Sequence, residues 1–150
     1  MQLSRNFSLS ELVHSATAIR RGISNVPSAE VIANLQNLCI FILQPARDHF
    51  GLIRVSSGYR SPMLNAAIGG STSSQHPLGE AVDWEVSGVS NAVVAAWVAQ
   101  NLKFDQLILE YWDKKRLNSG WIHTSYRHGA NRMEVLHKQK GQPYKPGLGT

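Results

Sequence analysis

The sequence predicts a single α+β domain with a mainly antiparallel sheet and helices packed on one side. Three observations carry that expectation. Apolar residues recur at helical spacing in the first half, short strand-like runs fill the last third, and no internal repeat is present. A chain of 150 residues with 43% apolar content can bury one sizeable core without disulfides. With 17% charged residues, the same composition argues against a disordered chain.

Ser8-Leu9-Ser10-Glu11 has the form of a capping box, in which Ser8 and Glu11 cover free amides of a short helix. A loop holding Gly22 and Pro27 is expected next. From Ser28 the apolar residues Val31, Leu35, Leu38 and Ile42 form one stripe of an amphipathic helix. Pro45 should kink or end that helix, and Gly51 closes the segment. Ile53 to Ser57 reads as a short strand. Ser61 followed by Pro62 predicts a helix start, and Gly69-Gly70 its stop. A polar run, Ser71 to Ser74, leads into the most informative stretch of the chain.

Ala81 to Val86 is predicted as an alternating strand, and Ser90 as the cap of a helix through Val94, Trp97 and Val98. Phe104 to Glu110 and Trp121 to Tyr126 are further strands, with Arg132 to His137 a candidate third. Gly141 to Thr150, rich in Pro and Gly, is expected as an ordered loop or a loose C-terminal tail of the one domain, 1–150.

Fifteen basic against ten acidic residues give a net charge of +5, which suits an anionic partner such as nucleic acid or a cell-wall polymer. No segment is dense in Lys and Arg; the richest run, Lys114-Lys115-Arg116, has the look of a hairpin tip. Nucleic acid is therefore not the expected partner. The single Cys39 excludes an internal disulfide and, between Leu38 and Ile40, reads as a small buried hydrophobe. Met1 to Arg5 lack the apolar core of a signal peptide, and no apolar run approaches the ~20 residues of a bilayer span. The expectation is synthesis in the cytoplasm, with any role outside needing another exit.

The chemistry concentrates in Ser74-Gln75-His76-Pro77-Leu78-Gly79-Glu80-Ala81-Val82-Asp83. Zinc takes imidazole nitrogen and carboxylate oxygen, and a catalytic site uses three protein ligands, leaving one position for water. His76 and Asp83 can supply two, one from a loop and one from the adjoining strand. Trp121-Ile122-His123 offers the third, since alternation puts Trp121 and His123 on one face. Taken alone, each residue has an ordinary explanation: a surface histidine, a turn-capping carboxylate, a half-buried histidine. His14, His49, His128 and His137 have no matching context.

The wider pattern changes that balance. Ser57-Gly58-Tyr59-Arg60-Ser61-Pro62, Asn65, Gly69-Gly70, Ser74-x-His76-x-x-Gly79-x-Ala81-x-Asp83 and Trp121-x-His123 together resemble the LAS-type zinc peptidases. That family includes D-alanyl-D-alanine carboxypeptidases and phage endolysins that cut the stem peptides of bacterial peptidoglycan. The resemblance runs from about Phe7 to about Leu136, and Phe7 to Leu12 with Asn131-Arg132 look like the small phage-type branch. It implies the hedgehog/D-Ala-D-Ala-peptidase-like fold and one Zn2+ per chain held by His76, Asp83 and His123.

The resemblance further implies Arg60 beside the substrate carbonyl or carboxylate, where a permanently charged guanidinium suits a developing oxyanion. Ser74 matches a residue that hydrogen-bonds substrate. Many relatives carry an acidic residue three positions before the last histidine, but Gly120 stands there. The phage-type branch instead places an acid at the end of the preceding strand, which makes Glu110 the expected general base. Glu80, Glu85, Asp105 and Asp113 are weaker candidates. Tyr59 and Trp121 should pack around the site, the Ser56-Ser57-Gly58 turn should bring backbone close to the metal, and Asn65 should fasten a loop.

The function implied is hydrolysis in peptidoglycan stem peptides, as a carboxypeptidase or an endolysin-type endopeptidase. A monomer acting on the wall after release, or as part of a phage virion, is expected. The rival expectation is a non-catalytic module that binds cell wall or protein around a structural zinc.

Overall fold

The computed structural model describes residues 1–150. The chain opens with a small hairpin, β1 (Gln2–Ser4) against β2 (Phe7–Ser8), and turns at once into α1 (Leu9–Val13). The Ser8 hydroxyl accepts from the Glu11 amide, so the cap half of the predicted box forms. The following segment, read from sequence as a loop, contains α2 (Ala16–Arg21). Ser15 caps its start and Gly22, at φ 65°, ends it in the left-handed region.

α3 (Ala29–Leu38) carries the predicted stripe, with Leu35 and Leu38 fully buried. Pro45 does not stop it. A π turn over Cys39–Leu43 leads into α4 (Gln44–Phe50), and the Gln44 amide donates to the Cys39 carbonyl five residues back. That widened turn absorbs a residue lacking an N–H, so the helix continues to Gly51. Cys39 lies fully buried, and burial, with the Glu11 charge, pushes its thiol up to about 12.

The main sheet consists of β3 (Ile53–Ser57), β4 (Ala81–Val86), β5 (Gln106–Glu110), β6 (Trp121–Ser125), β7 (Glu134–Lys138) and β8 (Lys145–Pro146), in the order β3-β4-β6-β5-β7-β8. Every pairing is antiparallel except β5 with β7. β7 crosses to the free edge of β5 and runs opposite to β6, as β5 does, so the two lie parallel. Between β3 and β4 lie α5 (Pro62–Ala67), capped by Ser61, and a one-turn helix at His76–Leu78. α6 (Asn91–Asn101) packs across β4, β5 and β6.

The sheet has two unlike faces. Val82, Trp84 and Val86 of β4, Leu107 and Leu109 of β5, and Ile122 of β6 point into one core with α3 and α6. The intervening residues, Asp83, Ile108, Glu110 and His123, line a cleft on the other face. β4 therefore alternates in direction but not in exposure: Asp83 on the cleft side is only 8% exposed. The helices cover one side, as the sequence predicts.

Asp105, wholly buried, ties three parts of this frame together. It accepts from the Arg132 backbone amide at 3.0 Å and from the Arg132 guanidinium at 2.9 and 2.8 Å. Gln75, next to His76, donates to the same carboxylate at 3.1 Å. The hydrogen bonds from Arg132 hold the Asp105 carboxyl below its ordinary pKa. The C-terminal residues include β8, and the Gly147 amide donates to the Val135 carbonyl at 2.9 Å.

Candidate metal centre

Register brings together side chains distant in the chain. Asp83 of β4 pairs with His123 of β6, and His123 pairs in turn with Ile108 of β5, so Asp83 and His123 lie side by side on the cleft face. His76, on the one-turn helix before β4, leans in from the loop. Its ring stands 5.3 Å from that of His123, edge to face. One donor atom from each of His76, Asp83 and His123 lies within 4.8 Å of the others.

Each donor is oriented by a neighbour. His76 Nδ1–H donates to the Gly58 carbonyl at 2.7 Å, which leaves Nε2 facing Asp83 Oδ2 at 3.4 Å. A Cβ at Gly58 would overlap the Leu12 carbonyl, so only glycine lets this turn press against α1 and aim its own carbonyl at His76. His123 Nδ1 is 2.9 Å from Asp83 Oδ1. Burial lowers the pKa of His76 despite the neighbouring carboxylate. Burial alone would raise that of Asp83, but the hydrogen bond from His123 and the closeness of His76 hold it well below the usual range. Neutral imidazole beside ionised carboxylate is the donor state a metal requires. Two imidazole nitrogens and one carboxylate oxygen fit zinc in both type and number.

A family model described as Peptidase M15 matches residues 5–125. The chain belongs to that family. M15 peptidases are zinc-dependent, and the His76–Asp83–His123 group is one that could hold the metal. No curated protein matches this chain.

The other expected M15 site residues line the same cleft, of about 350 Å³. Arg60 is clamped by three acceptors: Ser57 Oγ at 3.0 Å, Asn65 Oδ1 at 3.2 Å and Asp83 Oδ2 at 3.2 Å. Burial lowers its pKa, opposed by the charges of Asp83 and Glu110. Asn65 also donates to the Ser71 carbonyl at 2.9 Å, fastening the serine loop to α5. Ser74 Oγ accepts from the His76 amide at 3.2 Å and also lines the cleft.

Glu110 ends β5, diagonal to His123 on the cleft face and opposite Trp121. It is 9% exposed, and burial raises its pKa against the attraction of His123. Gly120 explains why no acid stands three residues before His123. Its φ is 70°, and a Cβ there would overlap the Glu110 carbonyl. The strand end bearing Glu110 already occupies that space. The weaker acidic candidates are engaged elsewhere: Glu80 with Arg127, Glu85 with Arg54, Asp105 with Arg132, and Asp113 with the backbone of Lys115.

Tyr59 packs in the core, whereas Trp121 lines the cleft beside Tyr111, ring centroids 5.2 Å apart. Four lining residues had no signal in the sequence: Gln106, Ile108, Leu136 and Tyr144. Ile108 and Leu136 read as ordinary strand interior. Tyr144 falls in a Pro- and Gly-rich stretch whose pairing with β7 no local pattern announces.

Proposed function

We propose that the chain is a zinc peptidase that hydrolyses peptide bonds in the stem peptides of bacterial peptidoglycan. One observation carries the reading: two imidazoles and a carboxylate converge within 4.8 Å in the cleft of a chain whose residues 5–125 match Peptidase M15. His76, Asp83 and His123 would hold the ion. When bound, zinc polarises a carbonyl and makes water acidic enough to ionise near neutral pH.

The protein's own groups do the rest. Glu110 takes a proton from the attacking water on its carboxylate and delivers it to the nitrogen of the leaving amine. Its raised pKa suits both halves of that transfer. Arg60 keeps a fixed positive charge beside the triad, held by Ser57 and Asn65, and stabilises negative charge developing on the carbonyl oxygen. The Ser74 hydroxyl, whose oxygen already accepts from the His76 amide, retains its own hydrogen to donate to a peptide carbonyl. The net +5 charge favours approach to an anionic wall. Delivery to that wall after release from a host cell, or within a phage particle, belongs to the same proposal.

Incubating the zinc-loaded protein with purified peptidoglycan tests this. Soluble peptides should appear, a chelator should stop their release, and mass spectrometry of the new termini should name the bond. Metal bound at one equivalent with no peptide released, at any dose, would leave a wall-binding module with a structural zinc.

A further inference from the structure

Three rows of side chains cross the cleft face of the sheet. The first runs Asp83, His123, Ile108, Leu136 and Pro146, each opposite the next in register. The second runs Trp121, Glu110 and Lys138. The third contains Gln106 opposite Glu134. The first row is thus polar at the metal end and apolar from Ile108 outward. Tyr144, just before β8, lines the same cleft with Ile108 and Leu136, and Lys138 Nζ lies 5.4 Å from its ring centre.

The wall is a built feature. His137 Nδ1–H donates to the Gly147 carbonyl at 2.8 Å, and Gly149 lies against the His137 ring. Lys138 donates to the Gln142 carbonyl and Lys145 to Gln142 Oε1 at 3.0 Å, which closes the turn that presents Tyr144. Leu148 packs against the core. Yet Tyr144 stays 53% exposed, an aromatic surface presented beside the site by a hydrogen-bonded turn. Leu136 and Tyr144 both lie beyond residues 5–125, the span matched by the family model. The triad, Arg60 and Glu110 lie within it.

We propose that Ile108, Leu136 and Tyr144 form the specificity-determining wall of the cleft, against which the apolar part of a stem-peptide residue packs. This rests on the peptidase reading. The wall positions the peptide across the triad, so its loss weakens binding and leaves the chemical step largely intact.

The probe is the synthetic pentapeptide L-Ala-γ-D-Glu-L-Lys-D-Ala-D-Ala, which contains both candidate bonds. Two measurements are made: steady-state hydrolysis by the zinc-loaded enzyme, and calorimetric binding to the Glu110→Gln variant. Tyr144→Ala should raise KM about tenfold with kcat within about twofold, as loss of an aromatic contact implies. The same substitution in the Glu110→Gln background should weaken Kd by about the same factor, with the unfolding midpoint unchanged. Tyr144→Phe, which keeps the ring, should restore KM and Kd to within about twofold. An active wild type whose Tyr144→Ala variant keeps its KM and Kd would overturn the wall alone. A wild type that neither binds nor cleaves the peptide would overturn the peptidase reading, and the wall with it.

Discussion

The two faces of the main sheet use the same strands for opposite purposes. On one face Val82, Trp84, Leu107, Leu109 and Ile122 are buried against helices, and their worth lies in area removed from water. On the other, Asp83, His123 and Glu110 are nearly as buried but carry charge or titratable nitrogen. The first face stabilises; the second spends part of that stability on holding polar groups away from water. The comparison teaches that the apolar face sets the register and the register sets the site. A slip of one residue in β6 would bury His123 among the helices and turn Ile122 to the cleft.

The sharpest way to separate the faces is to exchange function for stability at one position each. Glu110→Gln should lower the rate of peptide hydrolysis by about 10²–10⁴-fold, the range for losing a general acid–base group. Zinc content by elemental analysis should stay at one equivalent. Its folding stability should not fall, because the substitution removes a buried charge whose raised pKa marks it as unfavourably placed. Trp84→Ala on the opposite face should do the reverse. It removes a fully buried ring and its 3.1 Å hydrogen bond to Thr124, at about 3–5 kcal/mol in urea unfolding.

Gly58→Ala tests the link between the faces. The added methyl overlaps the Leu12 carbonyl, so the turn must shift and the carbonyl that orients His76 must shift with it. Zinc affinity by competition titration should weaken about 10–100-fold, as for loss of a group orienting a metal ligand. A variant with wild-type affinity would show that His76 needs no such partner.

The smallest effect is a pH signature. The Asp105 carboxyl has a depressed folded pKa, so its contribution is fully present above its unfolded value of about 3.9 and is lost as pH falls through the folded value. The stability difference between wild type and Asp105→Asn should therefore be constant from neutral pH down to about 4 and shrink below that. A difference that grew under acid would reverse the sign of the argument.

Much of this was legible before any coordinates. Ser8 and Ser61 each cap the helix predicted for them, because capping depends on residues only three apart, whereas Ser90 stands at the start of α6 without a hydrogen bond from its side chain. His76, Asp83 and His123 were readable because their loop and strands belong to a pattern that resembles a known family. The helix passes Pro45 without ending there, since the π turn just before it widens the backbone where a proline would otherwise conflict. α2 was missed because six residues hold too little periodicity to stand out.

By itself, then, the sequence determined the types of the longer elements, the apolar stripes and the donor atoms offered to a metal. These depend on neighbours one helical turn or one pleat away. The tertiary structure alone decided that β7 lies parallel to β5, that the Gly58 carbonyl aims His76, and that Tyr144 lines the cleft. Those outcomes follow from backbone contacts and strand register between distant segments, whose energies are spread over many small pairings and leave no mark at any single position.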